Sequence, residues 1–289
     1  MTAGEPAKLY LVGTPIGNRG DMTSRARQVL AEVPAVACED TRTCRRLFAW
    51  LDVPMPDVIA YHDHNIDTAL PTVIARLEIG DDVALVTDAG MPAIQDPGYR
   101  LVVAARQRGI EVVPVPGPSA LLIALAASGL PTDRFAFLGF APRRGRESWW
   151  REALTRLETI VVYEAPGRVE ATAAAITGLA PDRPVCLARE LTKLHEEFVI
   201  GTAEEVSRSL EGREEPVKGE CVLVVGGAGT SDGAALPWPT ALARLEASRA
   251  GHTMSARDRV EVMACAYPAA RNAIYRAVHG PDDRAGAPE

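Results

Sequence analysis

The segment VALVTDAGMPAIQDPG at residues 83–98 decides how this chain is read. Its first five residues have the make-up of a buried strand. Residues 88–98 then place Gly90 and Gly98 among Pro92 and Pro97, so regular structure stops abruptly. A plain turn needs about two to six residues. This loop is longer, opens on the carboxylate of Asp88, and is built from residues that hold backbone groups in a fixed shape. It is expected to be a ligand loop rather than a connector.

The same grammar recurs on either side. KLYLV (8–12) reads as a strand running into Gly13-Thr14-Pro15-Ile16-Gly17-Asn18, and Thr23 can cap a helix whose Ala26, Val29, Leu30 and Val33 fall at helical spacing. Residues 36–38 start a strand that ends in Glu39-Asp40, and EVVPV (111–115) runs into Pro116-Gly117-Pro118-Ser119-Ala120. Strands alternating with helical patterns predict an α/β fold with parallel strands and crossover helices. In such sheets the ligand crevice lies beyond the carboxyl ends of the strands, where these turns collect. A second block begins near Phe135, with strands expected at 135–139, 159–163, 184–188, 198–201 and 221–225. The expected organisation is therefore an α/β unit over 1–128, a second over 129–228, a linker over 229–239, a helical unit over 240–280 and a disordered tail over 281–289. The linker belongs to the small-residue run GGAGTSDGAALPWP (226–239). Helical patterns follow at 240–248, 256–265 and 269–278, the last preceded by Pro268.

Composition excludes several classes. At 289 residues, 47% apolar and 24% charged, the chain can bury two cores, and no apolar run reaches the roughly 18–20 residues of a membrane span. The beginning MTAGEPAKLYLVG lacks the pattern of a secretory leader, and five scattered cysteines without CxxC spacing argue against disulfides and zinc knuckles, so a cytoplasmic, reduced protein is expected. A net charge of −7 opposes non-specific coating of nucleic acid, so any RNA contact must be local.

The first glycine turn matches neither GxGxxG nor the P-loop pattern, which argues against an NTPase. Ser119 lies outside a GxSxG elbow and reads as a helix cap or ligand contact. Tyr61-His62-Asp63-His64 lacks a third ligand at a telling spacing, so no metal is expected. Glu39-Asp40-Thr41-Arg42 places acids at a strand end and a base at a helix start; it reads either as a solvated cap or as part of a site. Arg143, Arg144, Arg146, Trp149, Trp150 and Arg151 form the densest basic and aromatic stretch. Trp150 fits a helical core stripe with Ala153, Leu154 and Leu157. Trp149 falls off that stripe and reads equally as a base-stacking ring or as part of a surface helix.

Six motifs, VGTPIGNRGDMT (12–23), ACEDTRTCRRL (37–47), LVTDAGMPAIQDPG (85–98), PGPSA (116–120), VVYEAPGRV (161–169) and LARELTKLHEE (187–197), occur in the order that resembles the ribosomal RNA small subunit methyltransferase I family of tetrapyrrole methylases. The resemblance spans residues 8 to about 226, and SARDRVEVMACAYPAARNAIYRAV looks like that family's small helix-turn-helix appendage. It implies two α/β domains with S-adenosylmethionine in the cleft between them, a homodimer, and 2′-O-methylation of a decoding-centre cytidine of 16S rRNA or of the assembled small subunit. Carried over by motif, Pro15, Ile16, Asp88, Ala89, Gly90, Pro92, Ile94, Ser119 and Ala120 should line the cofactor site from the first domain, and Glu164, Ala165 and Leu187 from the second. A ribose hydroxyl needs a proton acceptor, for which Asp40, Asp88, Glu164 and Glu190 are candidates. Asp40, Glu190 and Lys193 are taken as the catalytic set. Glu39, Arg42, Arg143, Arg144, Trp149 and Arg189 are taken as RNA contacts. The competing readings are a methylase of a small tetrapyrrole-like macrocycle, which leaves EDTR and 143–151 without a purpose, and a non-enzymatic ribosome-assembly factor.

Overall fold

The structure, a computed structural model, describes residues 7–228, 238–247, 253–266 and 271–279. The loop at 88–98 issues from β4 (Val83–Val86), in the middle of a five-stranded sheet that also holds β1 (Lys8–Val12), β2 (Ala35–Cys38), β3 (Asp57–Ala60) and β5 (Glu111–Val115). The order is β3-β2-β4-β1-β5 and every pairing is parallel. Period-two alternation sends Leu9, Ala35, Ala37, Val83 and Leu85 to one face, under α3 (Ile66–Glu78) and α4 (Tyr99–Gln107). Val12, Val36, Ala84 and Val86 go to the other, under α1 (Ser24–Glu32) and α2 (Thr41–Leu51). With both faces covered, the inner strands β2 (AVAC) and β4 (VALV) are wholly apolar and buried throughout.

The chain leaves β2 toward β3 on one side and leaves β4 toward β5 on the other. β2 and β4 are neighbours, with Cys38 opposite Val86. Their connections diverge, which opens the crevice of a doubly wound sheet at that point, flanked by Glu39-Asp40 and Thr87-Asp88.

The second sheet has the order β6-β7-β10-β8-β9, from β6 (Phe135–Phe140), β7 (Thr159–Glu164), β8 (Pro184–Arg189), β9 (Glu197–Thr202) and β10 (Cys221–Val225). Only β6 and β7 pair in parallel; the other pairings are antiparallel. One face packs on α6 (Arg146–Ala153), α7 (Val169–Leu179) and α8 (Ala203–Glu211). The other receives α5 (Ala120–Ala127), whose sequence ALLIALAA is apolar on all sides and demands burial. Leu121, Ala124 and Leu125 pack there on Val161, Cys186, Ala188, Val222 and Val224. The element that closes the first unit is thus also a layer of the second, which locks the two sheets together.

The strands at 8–12, 111–115 and 221–225 coincide with their sequence expectation, whereas β3, α3, α4 and α8 carried no sequence expectation. Helices α9 (Trp238–Ala247), α10 (Ala256–Ala266) and α11 (Arg271–His279) gather Leu242, Leu245, Met263 and Ile274 into a separate small core. Residues 229–237 of the expected linker, Pro268 and the tail 281–289 lie outside the described residues. Among the described residues no helix is long and apolar enough to cross a membrane.

Candidate active site

Loop 88–98 is sewn to the β1 turn. Thr14 and Gly90 exchange backbone hydrogen bonds of 2.9 and 3.0 Å, and the buried Thr14 hydroxyl donates to the Thr87 carbonyl at 3.2 Å. Gly90 has φ 82°, a conformation that suits glycine. Ala93 (φ 68°) and Gln95 (φ 64°) are left-handed without being glycine, a strain of about 1–3 kcal/mol each. That strain holds Ile94 outward, 46% exposed on the cavity wall. The β5 turn closes in behind: a Cβ on Gly117 would lie 2.6 Å from the Gly13 Cα, so the two turns touch through bare backbone. From the second sheet, Phe140 and Tyr163 meet edge to face at 5.5 Å, and Gln95 packs on Gly139, where a Cβ would lie 2.7 Å from its Nε2.

These segments enclose a cavity of about 440 Å³ between the two sheets. That is within the roughly 300–1,000 Å³ of small-molecule sites. Ile16, Asp88, Ala89, Gly90, Ile94, Ser119, Ala120, Glu164 and Ala165, expected around the cofactor, line it, and so does Glu39, which was expected as an RNA contact. Glu164 is 2% exposed and fully engaged: it accepts from the Ala165 N–H at 2.8 Å and the Thr172 hydroxyl at 2.6 Å, and pairs with Arg168 at 2.5 Å. Ser119 precedes α5 without capping it, which leaves its hydroxyl for the cavity.

The electrostatics are one-sided. Burial raises the carboxyl of Asp96 to about 6 against a hydrogen bond from Thr87, with repulsion from Glu39, Asp88 and Asp63 adding to the rise. Burial first, then repulsion from Asp40, raises Asp88; burial, then Asp88 and Asp63, raises Glu39. Among the described residues none of these three acids around Thr87 forms an ion pair, and Arg46 and Arg42 offset the charge of Asp88 only in part, so the group prefers a positively charged ligand.

Other expected residues sit elsewhere. Pro15 and Asp40 line a neighbouring cavity of about 260 Å³. Asp40 caps α2 by accepting from the Arg42 N–H at 2.7 Å, and the Arg42 guanidinium pairs with it at 2.7 Å. That pairing holds the Asp40 carboxyl well below the usual range and makes Arg42 a cap partner rather than a free RNA contact. Pro92 is buried behind its loop and outside the cavity lining. The Leu187 side chain is fully buried against the α6–α8 layer, because β8 alternation turns Cys186 and Ala188 toward α5 instead. Lys193 Nζ bridges Glu190 at 2.8 Å and Glu220 at 3.3 Å, and Thr192 Oγ1 accepts from the Asn18 N–H at 3.0 Å. Glu190 and Lys193 are therefore tied to Glu220, which itself lines the cavity, within the second domain, while the Asn18–Thr192 hydrogen bond crosses to the first. Arg189 pairs with Glu197. Trp149 is half-buried, edge to face with Trp150 at 4.9 Å, packed on the core it was expected to miss. Arg143 and Arg144 are exposed between β6 and α6.

Asp96, Tyr163 and Glu220 line the cavity and were not singled out from sequence. Asp96 stood inside the quoted loop. Glu220 had no local signal, because only the antiparallel register of β10 brings it to the cleft. Among the described residues no cluster of three or more His, Cys, Asp or Glu is placed to hold a metal.

Two mutually packed α/β sheets with an acid-lined cavity between them define a class, and the model of the Tetrapyrrole (Corrin/Porphyrin) Methylases matches residues 8–207. Solved structures share the fold. Diphthine synthase is similar at TM-score 0.59 and 13% identity, covering 77% of this chain and 90% of that one. A uroporphyrin-III C-methyltransferase of Thermus thermophilus, complexed with S-adenyl homocysteine, is similar at TM-score 0.52 and 23% identity, covering 76% and 97%. Sequence relatives named ribosomal RNA small subunit methyltransferase I are nearer. That of Micromonospora olivasterospora is 42% identical over 96% of this chain and 88% of its own length. That of Halalkalibacterium halodurans is 45% identical over 76% of each. The chain belongs to the ribosomal RNA small subunit methyltransferase I family, and it is a methyltransferase.

Proposed function

We propose that this enzyme transfers a methyl group from S-adenosylmethionine to the ribose 2′-hydroxyl of a decoding-centre cytidine in 16S rRNA, acting as a cytoplasmic homodimer on the RNA or the assembled small subunit. The observation that carries the reading is the 440 Å³ cavity with three acids on its wall whose carboxyls are all raised by burial and by repulsion from neighbouring carboxylates. The residues present fit the cofactor. The acids suit a sulfonium cation, carboxylates accept from sugar hydroxyls, and Ile16, Ala120 and Val222 offer apolar contact. When bound, S-adenosylmethionine supplies a methyl group already activated by its sulfonium.

The chain's main task is then alignment of the accepting oxygen, which can be worth about 7–11 kcal/mol. A positioned base adds about 10²- to 10⁴-fold. Of the candidate acceptors, Asp40 is committed to Arg42, Glu164 to Arg168 and Thr172, and Glu190 to Lys193. Among the described residues Asp88 has no cation within ion-pair distance, and its raised pKa suits proton uptake. We therefore assign it the hydroxyl proton. The name borne by the relatives supports the RNA substrate.

The test offers labelled methyl donor with unmethylated 30S subunits, naked 16S rRNA or a precorrin-type macrocycle, followed by nucleoside analysis. Label in 2′-O-methylcytidine is expected; label confined to a base or to the macrocycle overturns the proposal. Donor at a hundred times its dissociation constant should stabilise the fold by about 2.7 kcal/mol.

A further inference from the structure

We infer that the second cavity, beside the donor cavity, seats one sugar-phosphate of the RNA strand, its phosphate held by Arg19 and Arg46 and its ribose directed at Asp88; this rests on the RNA reading above. The cavity measures about 260 Å³ and shares Thr87 and Asp88 with the donor cavity, so a group in one touches the wall of the other. It opens where the connections of β2 and β4 diverge. Its volume is below the usual range for a small-molecule site and far too small for a helix, which suits one residue of a splayed single strand.

The charges sort the ligand. The chain carries −7 overall, so uncommitted cations are informative. Arg42 is neutralised by Asp40, but neither Arg19 nor Arg46 has a carboxylate within ion-pair distance among the described residues. Among the described residues Arg46 donates to the Thr43 hydroxyl alone, at 3.0 Å, and its charge reaches Asp88 from beyond ion-pair distance. The Arg19 guanidinium lies 5.4 Å over the Trp50 ring, which orients it without cancelling its charge. A planar guanidinium matches phosphate oxygens two at a time. Asp40 and Asp88 also line this cavity, Asp88 on the side shared with the donor cavity, where they would repel a phosphate and accept from hydroxyls. The phosphate end therefore faces the arginine mouth and the sugar faces the donor cavity, the order that brings a ribose hydroxyl to Asp88.

The test compares full-length wild type with Arg19→Gln/Arg46→Gln and with Arg46→Lys, using unmethylated 30S subunits over a KCl series. The double variant should raise KM roughly tenfold or more with a smaller change in kcat. Its log–log salt slope should fall by about 1.4, or roughly 0.7 per lost single-strand contact. Donor affinity by calorimetry and Tm should stay at wild-type values, and Arg46→Lys should keep the salt slope. A double variant with wild-type KM and slope overturns the inference, as does a parallel loss of donor affinity. Failure of the wild type itself to methylate ribose in RNA is a separate result, read without any variant, and it removes the parent proposal as well.

Discussion

Glu164 ties the stability of the second sheet to the donor cavity, so its removal is the most demanding trial of the architecture. The carboxylate has no exposed side-chain surface, and its three partners are the Ala165 N–H, the fully buried Thr172 hydroxyl and Arg168, whose side chain is 22% exposed. Glu164→Ala leaves Thr172 without its acceptor and Arg168 without its counter-charge. Stripping one partner from a buried pair costs about 3–5 kcal/mol, and the residual exposure of Arg168 places this case near 3. Glu164→Gln keeps one acceptor oxygen, for the Ala165 N–H, and turns an amide NH2 toward the Thr172 hydroxyl, which then accepts instead of donating; the charge is lost, and about 1.5–2 kcal/mol is expected. Urea unfolding followed by the fluorescence of Trp149 and Trp150 on the adjoining layer measures both variants, and a cycle with Arg168→Gln isolates the pair. A Glu164→Ala loss below about 1 kcal/mol, or additivity of Glu164→Gln with Arg168→Gln, would refute the reasoning.

The acid cluster predicts a pH signature. The Asp96 carboxyl titrates at about 6 in the folded state. In the unfolded chain it titrates at about 3.9. Between those values the folded state binds more protons than the unfolded, so the donor-free protein should lose stability as pH rises through the window, and Asp96→Asn should flatten the fall in thermal melts. Donor affinity should strengthen over the same rise, because the ionised acids attract a cation; calorimetry showing the opposite slope would contradict the site. Gly117→Ala should cost about 1–3 kcal/mol and weaken donor binding, since its Cβ would meet the Gly13 backbone at 2.6 Å. Gly167→Ala, with open space around the added Cβ, is expected to stay within about 0.5 kcal/mol in the same denaturation assay. Arg143→Glu/Arg144→Glu, on exposed positions outside the lining of both cavities, should leave donor affinity intact and reduce RNA methylation. Unchanged transfer by that variant would remove 143–144 from the RNA-contact surface.

Much of the cavity wall was legible because its signals are local. Residues 88–98 and 116–120 break regular structure directly after apolar strands, and a strand end in an open α/β sheet is where a site forms. Motif resemblance brought Glu164 and Ala165 to the same wall. Leu187 departed from expectation for a simple reason: in a strand, neighbours face opposite layers, and one-residue parity decides between cavity and core. Trp149 departed because a short helix on a sheet edge buries a wider stripe than its spacing suggests. β3 was missed since its four residues, DVIA, sit half-exposed at the sheet edge and carry little pattern.

By itself the sequence determined most of the strands, where the chain must turn, and that a carboxylate-led loop stands at a strand end, because propensity, periodicity and glycine geometry act over a few residues. Only the tertiary structure decided which charges remain free there. Arg42, Arg189 and Lys193 look as available in sequence as Arg19 and Arg46, but Asp40, Glu197 and the Glu190–Glu220 pair cancel the first three. Whether a charge is spent or spare depends on partners brought within a few ångströms by packing, and sequence distance does not encode that separation.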